Sequence, residues 1–253
     1  MIRAIMHGCN GRMGRMITEL VGNDSDMEIV AGVDIVDNCA NSYPVFTKLE
    51  DCNIDADVLI DFGNAAATEG LVNYCVGKKL PIVLCTTGLS DEQLKLVKDA
   101  SDSIPILRSA NMSLGVNVLL DILKKYSGIL NEAGFDIEVV EKHHRTKLDS
   151  PSGTALALAD AAQEGCKKEL EYVYDRSGRR MARPDNEIGI SAVRGGTIVG
   201  DHDVIFAGTD EVVTLSHRAY SRAVFAKGAI SAAKYLAGRA AGMYSMADVI
   251  EEG

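Results

Sequence analysis

The residues best equipped for chemistry lie in one stretch, Glu141-Lys142-His143-His144-Arg145-Thr146-Lys147-Leu148-Asp149-Ser150-Pro151-Ser152-Gly153-Thr154-Ala155. A histidine can give or take a proton near neutrality, and the cations beside it can hold an anion. Ser150 reads as a helix N-cap and Pro151 as the first helical residue. Gly153 then falls where a capping box would carry Glu. The first-turn amides near Ser152, Gly153 and Thr154 are thereby left open to an outside anion, and a substrate carboxylate is the natural guest. His143 and His144 are adjacent, so on a strand they point to opposite faces and at most one of them faces a given site. No metal spacing such as HExxH occurs, so no metal is expected. Neither Ser150 nor Ser152 sits in a G-x-S-x-G elbow, which argues against a serine nucleophile.

A second chemical feature lies at the start of the chain. Gly8-Cys9-Asn10-Gly11-Arg12-Met13-Gly14 spells GxxGxxG between an apolar run and an amphipathic one. Glycines there permit a tight turn and let the backbone approach a pyrophosphate seated on a helix N-terminus. Asn10 stands where the second glycine of GxGxxG often lies, and Asn tolerates the left-handed region better than most residues. The string alone is a weak signal. Its context strengthens it, because Asp34 closes the second apolar run and could bond a ribose 2′-OH. A carboxylate at that point repels a 2′-phosphate, and Ile35-Val36-Asp37-Asn38 supplies no cation. NADH is therefore expected to be preferred, with NADPH possible if Arg12 or Arg15 swings across.

These two features need elements to position them. Apolar runs at 2–7, 27–34, 57–62, 80–85 and 104–109 alternate with amphipathic stretches at 11–22, 66–79 and 91–100. That alternation predicts βαβ units and a doubly wound, Rossmann-like parallel sheet. After Asn111 the pattern changes. A helix is expected over 116–130, a strand over 136–141, a helix over 151–163, and strands near 187–193, 202–206 and 211–217. Thr209-Asp210 marks a hairpin turn. This half reads as α+β with an antiparallel sheet. Residues 221–236 form an Ala-rich helix, and Arg176 to Asn186 is the least patterned stretch, expected to be a mobile surface loop.

Composition limits the function class. The chain has 253 residues and a net charge of −10, opposite in sign to a general nucleic-acid binder. No apolar run approaches the roughly 20 residues needed to span a bilayer, and the start lacks a signal-peptide plan. The six cysteines include no CxxC pair, which fits reduced thiols in a cytoplasmic protein.

The segment EVVEKHHRTKLDSPSGTA resembles the signature of the dihydrodipicolinate (4-hydroxy-tetrahydrodipicolinate) reductase family, and GCNGRMGR resembles its nucleotide motif. Ser109 to Asn117 resembles its hinge, while Arg194-Gly195-Gly196, Gly200-Asp201-His202 and His217-Arg218-Ala219 resemble its C-terminal strands. The resemblance implies a dinucleotide-binding domain at 1–113, rejoined by 222–253, and a substrate-binding and tetramerisation domain at 114–221. It implies a cytoplasmic homotetramer that reduces a cyclic dicarboxylate in diaminopimelate and lysine biosynthesis. It also implies that His143 is the acid/base and Lys147 a proton donor. By the same match, His144, Gly153 and Thr154 contact substrate. Gly8, Cys9, Asn10, Gly11, Arg12, Met13, Asp34, Cys85, Thr86, Thr87, Ser109, Ala110, Asn111 and Met112 would contact the cofactor.

The chain departs from the family pattern at Cys85, where a Gly-Thr-Thr triplet is common, and at Gly63-Asn64, where Ser or Thr often follows Asp-Phe. Ile35 replaces an Arg found in some members, which agrees with the NADH preference. Another two-domain Rossmann dehydrogenase, or a non-catalytic NADH sensor, is the alternative reading. The first leaves His143, His144 and Lys147 unexplained, and the second would not need proton donors beside an anion pocket.

Overall fold

The computed structural model describes residues 1–37 and 40–252. Asn38 and Cys39 lie outside the described residues. Elements in chain order are β1 (Ile2–His7), α1 (Arg12–Val21), β2 (Met27–Val33), β3 (Val45–Phe46), β4 (Val58–Asp61), α2 (Thr68–Lys78), β5 (Ile82–Leu84), α3 (Asp91–Ala100) and β6 (Pro105–Arg108). They continue as α4 (Leu114–Glu132), β7 (Asp136–His143), α5 (Gly153–Gly165), β8 (Glu171–Val173), β9 (Glu187–Arg194), β10 (Gly200–Ala207) and β11 (Val212–Ala219). The chain closes with α6 (Ala223–Leu236), β12 (Gly242–Tyr244) and α7 (Met246–Glu252). Two compact units result, Met1–Leu114 with Ala223–Gly253, and Gly115–Arg222. No helix among the described residues is long and apolar enough to cross a membrane.

The first unit is a seven-stranded sheet in the order β12-β6-β5-β4-β1-β2-β3, with every neighbouring pair parallel. Strand order reverses between β1 and β4, and a doubly wound sheet opens a crevice at such a switch point, beyond the carboxyl ends of its strands. The apolar strand runs explain the two-faced burial. Ala4, Met6, Val58, Ile60 and Val83 pack into one core with α1 and α6, while Ile5, Leu59, Ile82 and Leu84 pack into the other with α2 and α3. The period of two thus divides each strand between two cores. The short β3, β12 and α7 have no counterpart in the sequence reading.

The second unit departs from expectation. Its five-stranded sheet, in the order β11-β10-β7-β9-β8, is mixed rather than antiparallel. β10 runs antiparallel to β7 and β11, but β9 runs parallel to β7 and β8. The link from β7 to β8 passes through α5, the kind of crossover that returns a chain in the same direction. Leu119 and Leu123 of α4, Ala155, Ala159, Ala161 and Ala162 of α5, and Ile137 and Val139 of β7 share one core. The irregular stretch 176–186 is also pinned rather than loose. Arg176 bonds Glu187 and Glu138, Arg179 bonds Glu187 at 2.6 Å, and Arg183 bonds Asp136 at 2.6 Å.

Candidate active site

In the first unit, the glycine turn opens directly off β1. Gly8 has φ +79°, and a Cβ there would lie 2.6 Å from the Phe62 carbonyl oxygen, so only glycine fits. A Cβ on Gly14 would meet the Gly8 carbonyl oxygen at 2.2 Å, which is how α1 closes against the turn. Asn10 does not use the left-handed region that could have justified it. Its side chain instead donates to the Val36 carbonyl at 2.6 Å and accepts from Asn41 at 2.9 Å. Asp34 accepts the Asn10 amide at 2.8 Å and the Ile35 amide at 2.8 Å, so its carboxylate ties the turn to the end of β2. Gly8, Asn10, Gly11, Asp34, Phe62 and Asn64 border a cleft of about 340 Å³ at the switch point. Arg12 opens α1 and is exposed, whereas Met13 packs partly on the core beneath. The Cys9 side chain is buried, and burial foremost pushes its thiol up to about 11, so Cys9 can meet a ligand only through its backbone.

The sequence reading missed a buried network below this turn. The His7 Nδ1 and Asp61 Oδ1 lie 2.6 Å apart, and Asp61 also accepts the Gly63 amide at 2.9 Å and the Thr86 hydroxyl at 2.6 Å. Asp61 thus binds together the ends of β1, β4 and β5. Cys85 continues β5 through its amide to the Asp61 carbonyl, at 3.0 Å, and burial holds its thiol protonated. Thr86 spends its side chain on Asp61, while Thr87 is exposed. Ser109, Ala110, Asn111 and Met112 follow β6 at the same edge of the sheet. The Met112 side chain is buried in the core under α6, and Asn111 turns its side-chain oxygen to the Ser113 amide at 2.8 Å.

In the second unit, β7 runs two residues further than expected, and its alternation puts Glu141 and His143 on one buried face. Glu141 is fully buried, and four donors surround it. Arg194 grips both oxygens, at 2.7 Å each, the Ser152 amide donates to Oε1 at 2.9 Å, and His143 Nδ1 meets Oε2 at 2.6 Å. Burial pulls the Glu141 carboxyl upward, but Arg194, His143 and the amide outweigh it and hold it below the usual carboxylate range. Burial pushes His143 in the direction that disfavours its charged form, opposed by Glu141 and reinforced by Lys147 and Arg194, and its pKa falls below the ordinary imidazole value. The ring of His202 on β10 stands edge-on to His143, centroids 5.1 Å apart.

The helix start differs from the sequence reading. Ser152 is the N-cap of α5, its hydroxyl accepting from the Ala155 amide at 3.1 Å, and Gly153 is the first helical residue. Ser150 and Pro151 precede the helix, joined by a cis peptide. The Ser152 amide is therefore taken by Glu141 and is not open to an anion. Gly153 and Thr154 are the first two helical positions of α5. The Ser152 hydroxyl also lies 3.0 Å from His202 Nε2. Lys147 is paired with Asp149 at 2.8 Å, so part of the positive charge expected here is offset. Asp149 is held below the usual carboxylate range, the Lys147 contact outweighing burial. His144 Nδ1 lies 2.8 Å from the Thr146 hydroxyl, away from the Glu141 network.

Residues 2–112 match the family model described as dihydrodipicolinate reductase, N-terminus, and residues 115–250 match dihydrodipicolinate reductase, C-terminus. The chain belongs to the dihydrodipicolinate reductase family. Among its relatives, the 4-hydroxy-tetrahydrodipicolinate reductase of Caldanaerobacter subterraneus subsp. tengcongensis is 51% identical over the whole of both chains. That of Clostridium tetani is 50% identical over 97% of this chain and 96% of its own. A solved structure, the dipicolinate-bound dihydrodipicolinate reductase of Paenisporosarcina sp. TG-14, superposes with a TM-score of 0.77 at 28% identity, covering 97% of each chain. The glycine-turn motif lies inside the first match and the His143 to Ala155 segment inside the second, while the 109–117 motif spans the junction between them.

Proposed function

We propose that this chain reduces 4-hydroxy-tetrahydrodipicolinate to tetrahydrodipicolinate with hydride from NADH or NADPH, within diaminopimelate and lysine biosynthesis. The observation that carries the reading is the family's His-His-x-x-Lys and Ser-Gly-Thr segment, two members of which, His143 and the Ser152 amide, meet on one buried carboxylate, Glu141. In this reading the first unit is the dinucleotide-binding domain and the second binds substrate and makes the tetramer. The enzyme is placed in the cytoplasm. A different two-domain dehydrogenase is not favoured, since it leaves the paired histidines idle.

The first unit suits a dinucleotide. Gly8 and Gly14 bring backbone close to the cleft, α1 presents its N-terminus there, and Asp34 offers a carboxylate at the strand end for a ribose hydroxyl. Gly8 to Met13, Asp34, Cys85 to Thr87 and Ser109 to Met112 would hold the cofactor, several of them through backbone. When bound, the nicotinamide supplies hydride to the substrate's conjugated imine.

The remaining work falls to side chains of the second unit. The start of α5 at Gly153 and Thr154 holds a substrate carboxylate, and His144 and Lys147 balance its charge. His143 gives the proton that completes the reduction, and Lys147 assists as a second donor. Oxidation of NADH in the presence of freshly made cyclic substrate tests the proposal directly. Substrate-dependent turnover in wild type, lost in a His143→Ala variant that still binds dipicolinate by calorimetry, is the expected result. An enzyme that binds NADH and dipicolinate yet turns over none of the cyclic substrate would overturn it.

A further inference from the structure

We propose that Glu141 and Arg194 are positioning residues for His143, fixing its Nδ1 as the protonated nitrogen and leaving Nε2 as the atom that exchanges a proton with substrate. The inference rests on the reading of His143 as the proton donor and adds the device that orients it. The register of the sheet assembles the parts. His143 on β7 lies opposite Arg194 on the parallel strand β9, and Glu141 lies opposite His202 on β10.

The donor count forces the tautomer. A carboxylate can only accept, and Arg194 and the Ser152 amide already donate to Glu141. An ionised carboxylate at 2.6 Å therefore requires a proton on His143 Nδ1. Nε2 lies at the opposite edge of the ring, beside Gly200, where a Cβ would approach it to 3.1 Å. Any larger residue at that position crowds the reactive nitrogen. In the proton transfer, imidazolium Nε2–H gives its proton to the hydride-accepting substrate and leaves neutral imidazole, with Nδ1–H still held by Glu141. Solvent then restores the proton. The charged and titratable groups facing His143 are Glu141 on its own strand, Arg194 on β9, His202 on β10, and Lys147 from the segment between β7 and α5. Glu141 is the one anion among them, and the two cations oppose it.

Replacing Glu141 with Gln keeps the shape and inverts the logic. Two donors meet Oε1, from Arg194 and Ser152, but only one besides His143 meets Oε2. The amide nitrogen of Gln therefore takes the Oε2 position and donates to Nδ1, which drives the His143 proton to Nε2. The neutral amide also stops favouring imidazolium. Because the acid form is the active one, kcat falls as pH rises through the His143 pKa.

The test compares wild type, Glu141→Gln, Glu141→Asp, Arg194→Lys and His143→Ala, each checked for folding by dipicolinate calorimetry. Glu141→Gln is expected to lower kcat about tenfold or more and to move the falling limb of the pH profile down by about one unit or more. Nitrogen-15 spectra of the histidine rings should show the Nδ1–H tautomer in wild type and Nε2–H in Glu141→Gln. Glu141→Asp and Arg194→Lys retain the charges and should keep the limb near its wild-type position, even where kcat drops. If Glu141→Gln fails to fold, the wild-type tautomer and the limb in Arg194→Lys still decide. An Nε2–H tautomer in wild type overturns the proposal, as does an unmoved limb and tautomer in Glu141→Gln. His143→Ala separates the two layers, since unchanged kcat there removes the histidine itself from the chemistry.

Discussion

Among the described residues, two buried carboxylate–imidazole pairs have the same length but different surroundings. Asp61 and His7 meet at 2.6 Å beneath the glycine turn, and Glu141 and His143 meet at 2.6 Å in the second unit. The other partners of Asp61 are an amide and a hydroxyl, so its work is to tie three strand ends together. The other partners of Glu141 include a bidentate guanidinium, so its charge is balanced and its geometry doubly set. In the proposed function one pair supports a surface that recognises the cofactor through backbone. In the proposed mechanism the other supports a surface that acts through a proton. Identical local geometry therefore says little until the third partner is known.

The sharpest way to break this contrast is a pair of variants. His143→Ala should lower kcat by about 10²–10⁴, the usual worth of a placed acid or base, with NADH affinity nearly unaltered. Gly8→Ala should do the reverse, because a Cβ at φ +79° also strikes the Phe62 carbonyl. A loss of about 1–3 kcal/mol in NADH binding is expected for such backbone strain. Calorimetry with NADH and steady-state kinetics on both proteins check the split. A Gly8→Ala enzyme with normal NADH affinity, or a His143→Ala enzyme with normal kcat, would erase the distinction.

A second consequence concerns acid. Burial foremost, then His143, pushes His202 from an ordinary 6.5 down to about 4. The folded state thus keeps His202 neutral while the unfolded chain takes up a proton. The stability this contributes is fully present above about 6.5 and is lost as pH falls from there toward 4, since the unfolded state then binds more protons. The depression corresponds to at most about 3 kcal/mol. The thermal midpoint should fall across that window, and His202→Gln should flatten the fall. Glu141, Asp149 and Asp203 also lose favourable contacts in acid, so the difference between the two proteins is the informative quantity. Parallel curves would show that His202 is not the group responsible.

How far the residues foretold this arrangement varies with the range of the interaction. The doubly wound sheet was legible because strand and helix periodicities alternate and each strand is apolar on both faces. The glycine turn was legible because backbone constraints are local. The mixed sheet was not, since periodicity says which residues share a face but not which strand lies alongside or in what direction. Residues 171–173 are too short to announce β8, and without it the crossover through α5 has no visible destination. Glu141 left a usable trace, two residues before His143 in an alternating strand. Arg194 stood out only as part of a strand motif, and its tie to Glu141 was hidden, because the two lie 53 residues apart and meet only through the β7–β9 register. The misplaced cap had a local cause: Ser150 and Ser152 are both good N-caps, and Glu141 selects between them by taking the Ser152 amide.

The smallest expected effect tests whether the first surface uses any charge at all. Asp34 already accepts two backbone amides, each at 2.8 Å, so its carboxylate is held in place at the rim of the cleft rather than free to turn away. Ile35 beside it is 83% exposed and offers nothing to a phosphate. Two unit charges about 4 Å apart interact by roughly 1 kcal/mol in water and about 4 kcal/mol at an intermediate dielectric. A preference for NADH over NADPH of about 1–3 kcal/mol in kcat/KM is therefore the proposal, or roughly five- to over a hundredfold. Arg12 and Arg15, both exposed in the first turn of α1, are the residues able to erode it. Ile35→Arg alone is the cleanest probe, because it adds a cation without releasing the amides that Asp34 holds. It should raise kcat/KM with NADPH and leave that with NADH almost unchanged. Asp34→Ala should weaken both cofactors, since it also loosens the Asn10 amide. Equal kcat/KM values in wild type at one ionic strength would show that the arginines of the glycine turn cancel the carboxylate.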